Sequence, residues 1–492
     1  MSGAFGRGSR FVRSRRAAIA LAWCALAPAS AALLPGCGER GGDRERVVEF
    51  WTISLRPTFT GYMEERIGAF EASRPGVRVR WVDVPFSSVE RKLLAAAAAG
   101  RAPDVVNLSD MMFARYAGAG AFEDLSDDLG PGVLGRYHEG ALSVGRLGGE
   151  LLALPWYLTT QSLIYNRALL EEGGLEPGEL PRTWGGLVAA AGPYYERTGR
   201  WLFTQPIGTD SQLPVMLMSE GIVPFGLDGE GLLRASVARE EVAGYLGEWV
   251  SLYRAGALPR ESATRGFEHL IDVYQDERVA VVNTGANFLG RVRDVSRGVY
   301  ERTGVAPPAV GALGAAHVAV MPVCVSARSE EPELSREWLV FITSPESQSM
   351  FARLAAILPS TRASLDDPFF GGPTAEEEAA GLETVGEARS LIAGELGRAV
   401  AFTPALESWP DLRRVFNERF KRVLLDGADL EEELAAIEAD WDRIIDEMNA
   451  RRAASGGEPA GVEALPVRLR GVVQSGEDGQ ARRLSHLGGA VR

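Results

Sequence analysis

The chain moves between segments of two hydrophobic periods. Val47 to Ile53 is an apolar run bounded by polar residues, the pattern of a strand buried on both faces. Met63, Ile67 and Phe70 recur at i, i+4 and i+7, which predicts an amphipathic helix ending before Pro75-Gly76. Val77, Val79 and Trp81 return to a period of two and predict a second strand. Ser87 and Glu90 have capping-box spacing ahead of Leu93, Leu94 and an alanine run that Gly100 closes. Asp104 to Leu108 supplies a third strand, and the β-α-β-α-β order predicts a parallel sheet covered by helices.

Farther along, the same style continues without a sequence repeat. Leu151 to Tyr157 and Val279 to Asn283 read as strands. Glu240 to Tyr253, Ser335 to Ile342, Pro345 to Leu354 and Leu430 to Met448 read as helices, with Ser344-Pro345 a cap followed by a first-turn proline. The 492 residues exceed one ordinary domain, yet no linker long enough to separate two independent domains appears in the middle. These two facts predict two cores between which the chain crosses more than once. Residues 451–492, rich in Gly, Arg and Glu without sustained periodicity, are expected as a disordered tail.

Charge and chemistry narrow the function. A net charge of −14 argues against nucleic acid as a partner, because phosphate binding wants the opposite sign. Lys92 and Lys421 are the lysines, and neither stands in a P-loop context. No nucleophile elbow, Ser-x-x-Lys or Gly-x-Gly-x-x-Gly occurs, and His138, His269, His317 and His486 are too far apart for zinc-ligand spacing, so neither metal nor cofactor is expected. Asp127-Asp128 and Asp366-Asp367 read as solvated turns in an acidic chain sooner than as a glycosidase pair. Cys324, between Val323 and Val325, reads as a buried apolar thiol.

The start of the chain carries an address. Arg7, Arg10, Arg13, Arg15 and Arg16 precede an uncharged stretch from Ala17 to Leu34, the layout of an export signal. The stretch is also about as long as a short membrane span. Leu34-Pro35-Gly36-Cys37 resembles the bacterial lipobox and favours a lipoprotein signal over 1–36, lipidation at Cys37 and a short polar tether over 37–46. Removing the signal deepens the negative charge by its five arginines.

An ordered set of short motifs then resembles one family. Phe50-Trp51-Thr52, Ala99-Gly100-Arg101-Ala102-Pro103-Asp104-Val105-Val106-Asn107, Leu154-Pro155-Trp156-Tyr157, Tyr165-Asn166, Pro181-Arg182-Thr183-Trp184, Tyr274-Gln275, Thr343-Ser344-Pro345-Glu346 and Leu358-Pro359-Ser360-Thr361 occur in the order seen in extracellular solute-binding proteins of carbohydrate ABC importers. The resemblance spans Val47 to Met448 and departs at Asp276-Glu277-Arg278, where such proteins usually carry a glycine. It implies an α/β, two-lobed periplasmic-binding-protein-like fold with interleaved lobes, about three hinge crossings and a ligand cleft between the lobes. Lobe 1 would take 47–155 and 279–325 and lobe 2 would take 156–278 and 326–450, with crossings near Leu154 to Leu158, Val279 to Thr284 and Cys324 to Arg328. It further implies a monomer that takes a sugar outside the cytoplasmic membrane and delivers it to ABC permease subunits. A secreted lipoprotein carbohydrate hydrolase is the alternative.

A sugar offers apolar C–H faces and a ring of hydroxyls, so its site wants flat aromatics beside oriented polar groups. Trp156, Tyr157 and Gln161 supply both kinds in one predicted crossing segment, with a core tryptophan as the competing reading of Trp156. Ser54 and Asp110 follow strands at the end of the sheet where ligands of open α/β sheets gather, although Asp110 could instead cap the next helix. Thr284 and Asn287 flank a close-approach glycine in a loop that, by the resemblance, touches ligand. Asp210 and Gln212 sit in a polar loop of the second lobe, and Trp409 either caps the cleft or starts a helix. No Arg/Lys cluster or anion-binding glycine loop marks the predicted cleft, which favours a neutral di- or oligosaccharide or glycoside.

Overall fold

The computed structural model describes residues 45–355, 357–454 and 457–474. The signal segment and Cys37 lie outside the described residues. The expected β-α-β-α-β start is present as β1 (Arg46–Ile53), α1 (Thr60–Ala72), β2 (Val77–Val84), α2 (Val89–Ala98) and β3 (Val105–Asn107). β2 and β3 flank β1 in parallel, with Phe50 opposite Trp81 on one side and Val105 on the other. Two local expectations change. Arg46, placed in the tether, is the first residue of β1. The predicted capping box is absent, because a 3-10 turn over Phe86–Ser88 delivers the chain to α2 with no side-chain cap.

β3 leads into α3 (Asp110–Ala117), and the short helix α4 (Glu139–Leu142) precedes β4 (Leu154–Thr160). β4 joins the first sheet through the long β9 (Val318–Val325), and β10 (Leu358–Pro359) adds the edge, giving the order β10-β4-β9-β3-β1-β2. Helices α7 (Pro332–Ile342) and α8 (Pro345–Ala355) cover one face: Trp338 and Phe351 meet Phe50, Trp156 and Leu154 in a common core. Ser344 caps α8 as its sequence suggests, accepting from Ser347 N at 3.3 Å. Cys324 is fully buried opposite Val106 on the other face.

The second sheet has the order β8-β5-β7-β6, built from β5 (Ser162–Asn166), β6 (Trp201–Thr204), β7 (Val279–Thr284) and β8 (Thr303–Ala306). Helices α5 (Trp184–Thr198) and α6 (Glu240–Arg254) supply Trp184, Leu187, Leu246 and Trp249 to the core on one face. α9 (Glu383–Glu395), α10 (Trp409–Lys421) and α11 (Leu430–Ala454) follow. Trp409 and Trp441 close that core against Phe225. Glu277, in the tripeptide that departs from the glycine pattern, adopts φ 55°, a left-handed conformation in which glycine is unstrained. Its carboxylate is held by Asn166 and Arg302.

The lobes are interleaved, but the expected boundaries shift. Val279–Thr284 is an interior strand of the second sheet and no crossing, because its apolar side chains need neighbours on both faces. Cys324–Arg328 is likewise no crossing, since β9 ends inside the first sheet paired to β3. Helices α7 and α8, expected in lobe 2, belong to the first core. The chain instead crosses between β4 and β5, between β8 and β9, and between β10 and α9. At the crossings, Thr160 Oγ1 donates to His317 O at 2.7 Å, and Val400 and Val318 are joined backbone to backbone.

The expected tail is partly ordered. α11 runs to Ala454, and residues 457–474 return to the second lobe and end in α12 (Val467–Gln474). Leu233 N donates to Ala460 O and Ala405 N to Ala464 O, each at 2.8 Å, while Leu465 and Leu469 are buried in the core of Trp409 and Trp441. Apolar residues spaced too sparsely for a periodic signal suffice to anchor a strap to an existing core.

Candidate functional site

The first lobe presents the carboxyl ends of β1, β2 and β3. At the end of β1, Thr52 Oγ1 donates to Asp83 Oδ1 at 2.7 Å and accepts from Trp81 Nε1 at 2.7 Å, and Asp83 also accepts from the backbone of Leu55 and Arg56. This carboxylate fixes the loop after β1, and Arg56 lies 4.0 Å over the Trp81 ring. Ser54 is exposed at the turn, with φ 53°, and its hydroxyl accepts from Phe86 N at 3.0 Å.

At the end of β3, Ser109 is the helix cap, accepting from Met112 N at 3.3 Å. Asp110 is therefore freed from capping and stands in the first turn of α3, accepting from the adjacent Met111 N at 2.8 Å. Burial raises its carboxyl to about 6, against the pull of Arg413. Arg413 comes from α10 of the second lobe. It reaches Ser211 O at 3.2 Å and Met111 Sδ at 3.4 Å, and its Nε is buried without a hydrogen-bond partner. Burial lowers the Arg413 guanidinium, while Asp210 and Asp110 favour its charged form. Asp110 on one lobe and Asp210 on the other thus both act electrostatically on one cation at the interlobe seam. The two lobes also approach at the end of α3, where a Cβ on Gly118 would lie 1.8 Å from Glu407 Oε2, so any larger residue there would displace the Glu407 carboxylate.

Beside Asp110 the seam opens into a cavity of about 300 Å³. Its lobe 1 wall is Phe113 and Ala114 of α3 with Glu139, Ser143 and Arg146 around α4; its opposite wall is Ala399–Ala405 and residues 463–470 of the strap. Asp110, Glu139 and Glu463 face the same space as Arg146, Arg468 and Arg470. A second space of about 30 Å³ lies at the crossings, where Gln161, Gln205, Gln212 and His317 stand among apolar residues that include Trp184 and Met216. Gln161 Oε1 accepts from Asn283 there. His317 Nδ1 accepts from Phe402 N at 3.2 Å, and burial lowers its pKa to about 4.

The residues singled out in the sequence therefore divide. Asp110 and Asp210, from opposite lobes, both act electrostatically on Arg413, and Gln161 and Gln212 line the small space at the crossings. Trp156 is a core residue, 0% exposed, 5.2 Å from Phe351 and 5.9 Å from Phe50 between ring centres. The strand period turns it into the sheet's covered face, so its ring is unavailable to a ligand in this conformation. Tyr157 is also buried, edge-on to Phe351 at 5.3 Å. Trp409 is 1% exposed and packs on Trp441, so it starts a helix and caps no cleft. Thr284 is buried at the end of β7 with its hydroxyl unpaired, whereas Asn287 is exposed and folds its amide over Gly285. Arg413, His317, Asp83 and the strap were not foreseen. Arg413 stands four residues after Trp409 on the same helix, a spacing that could have drawn attention to it. Against the expectation that no Arg/Lys cluster marks the cleft, Arg146, Arg468 and Arg470 line one cavity, which Asp110, Glu139 and Glu463 line as well.

Two α/β lobes joined by three crossings, with charged groups of both lobes facing across a cavity, define a two-lobed ligand-binding protein that encloses a solute between its lobes. The chain belongs to the bacterial extracellular solute-binding protein family, whose sequence model matches residues 54–349. It is similar to a crystal structure from Synechococcus sp. MITs9220, provisionally assigned as an oligosaccharide periplasmic-binding protein, with 32% identity, a TM-score of 0.72 and coverage of 82% of this chain and 99% of that one. A provisionally assigned binding protein of Brucella abortus is 22% identical over 426 residues, 85% of this chain and 97% of that one. A lipoprotein of Streptomyces antibioticus is 24% identical over 347 residues, 68% of this chain and 75% of that one. No helix among the described residues is long and apolar enough to cross a membrane.

Proposed function

We propose that the chain binds a neutral di- or oligosaccharide or glycoside outside the cytoplasmic membrane, encloses it by hinge closure and delivers it to an ABC importer. The observation that carries this reading is the interlobe cavity beside Asp110. Its 300 Å³ stands at the lower end of small-molecule sites, and its three carboxylates are matched by three guanidiniums. Such a lining offers hydrogen-bond acceptors and donors to hydroxyl groups without selecting a charged ligand. The oligosaccharide assignment of the Synechococcus relative points the same way. Binding to both walls favours the closed state, and a closed state supplies the surface a permease would recognise. The hydrolase alternative finds no support among these relatives.

Lipidation at Cys37 would hold the monomer beside its permease and raise the effective concentration. The lipoprotein relative supports this. Cys37→Ser should leave most of the protein free of the membrane fraction; membrane association unchanged by the substitution would point to an uncleaved anchor. The sugar itself is found by a thermal-shift screen of mono-, di- and trisaccharides. A ligand at a hundred times its Kd adds about 2.7 kcal/mol of stability, and a flat response across the screen would count against the reading.

A further inference from the structure

The strap formed by residues 457–474 is fixed to the second lobe yet faces the first. Its inner side is tied down: Ala460 O and Ala464 O accept from Leu233 N and Ala405 N, Ala460 N donates to Asn449 Oδ1 at 2.9 Å, and Leu465 and Leu469 are fully covered. Arg470 is also committed, donating to Leu465 O at 3.0 Å and Glu463 O at 2.8 Å, and so stiffens the strap. Its outer side lines the cavity, where Arg468 is exposed opposite Ser143 and Arg146 of the first lobe. Anchoring on one lobe while facing the other is the geometry a wall needs if it is to move with closure.

We propose that the strap is a working wall of the sugar site and that Arg468 is a specificity-determining residue, donating to hydroxyls of a neutral saccharide held between it and the α4 region of the first lobe. This inference rests on the sugar-binding reading above. The strap would give the site a surface that the two lobes alone do not have, and would set the length of saccharide that fits between Arg468 and Asp110. A longer ligand would press on a segment held by buried leucines and backbone hydrogen bonds, whereas a shorter one would leave Arg468 unused.

The test titrates the full-length lipid-free protein with the best saccharide from the screen and with its homologues one unit shorter and longer. Arg468→Ala and Arg468→Glu should weaken binding of the best saccharide about tenfold with the melting temperature unchanged, and should narrow its advantage over the shorter homologue. Ser143→Trp, which fills the cavity from the opposite wall, should abolish binding, while Glu458→Ala, an exposed strap residue outside the cavity lining, should leave it unchanged. Full affinity and unchanged length preference in both Arg468 variants would overturn the role of the strap while leaving the sugar reading intact. Full affinity in Ser143→Trp would overturn the placement of sugar in this cavity. Failure of the unmodified protein to bind any saccharide would instead overturn the sugar reading and the inference with it. If either Arg468 variant unfolds, Arg468→Gln, which keeps a donor without the charge, takes its place and should bind the best saccharide more weakly than the unmodified protein with a narrowed length preference; affinity and length preference equal to those of the unmodified protein would overturn the role of the strap.

Discussion

At the residue scale, Asp110 and Trp156 show how environment assigns roles that residue type leaves open. Both were attractive from sequence, but Ser109 takes the capping duty and leaves Asp110 facing Arg413, whereas the strand period turns Trp156 into a core of Phe50, Tyr157 and Phe351. Trp156→Ala should therefore act on folding, costing about 3–5 kcal/mol, as loss of a large core aromatic does. A variant of full stability in chemical denaturation that had lost sugar binding would return Trp156 to the cleft. Asp110 has the opposite signature. Its carboxyl titrates near 6 when folded and near 3.8 when free, so the folded state holds the proton more tightly. Its contribution to stability is then greatest at low pH and declines as pH rises from about 4 to about 6. Ligand binding should run the other way, because the ionised carboxylate is the better acceptor of sugar hydroxyls. Asp110→Asn should weaken binding at pH 7 and remove the acid-side fall in affinity; an unchanged pH profile in calorimetry would contradict this.

At the scale of elements, the strands and helices were largely legible because each carries its own period. Parallel β1, β2 and β3 and the helices around Trp249, Trp338 and Trp441 stand where the patterns put them, within a few residues at their ends. The crossing expected near Leu154 to Leu158 lies beside the passage from β4 to β5, but the other two were not legible, since a crossing strand differs from an interior one only in the sheet it joins, and Val279–Thr284 and Cys324 carry the same apolar pattern either way. The strap escaped for a related reason: Ala460, Leu465 and Leu469 have no regular spacing, and their burial depends on a core made elsewhere. The crossings are joined by His317, whose imidazole accepts from Phe402 N and whose carbonyl accepts from Thr160. Burial keeps it neutral down to about pH 4, whereas the unfolded chain takes up the proton near 6.5. Its stabilising contribution is lost as pH falls through that window, opposite in sign to Asp110. His317→Asn, which keeps an acceptor near the Nδ1 position, should lose less stability than the parent as pH falls from about 6.5 to about 4. A variant that still loses stability on acidification as the parent does would remove His317 from this role.

At the scale of the whole molecule, the facing surfaces of the two lobes carry offsetting charge: Asp110 and Asp210 act electrostatically on Arg413, and acids and arginines line the cavity in equal number. The ordered motifs made the architecture and family legible in the sequence. They could not make the site legible, because its parts come from α3, α4, α10 and the strap, which are separated along the chain by up to several hundred residues and converge only through the two cores. The central claim is that this seam holds a saccharide and returns it unaltered. The most direct measurement is a calorimetric titration of the lipid-free protein with the saccharide selected by the thermal screen, followed by recovery of the sugar. The account predicts saturable one-to-one binding, weakened by Asp110→Asn, and chemically intact sugar on release; turnover of the sugar, or binding indifferent to Asp110, would contradict it.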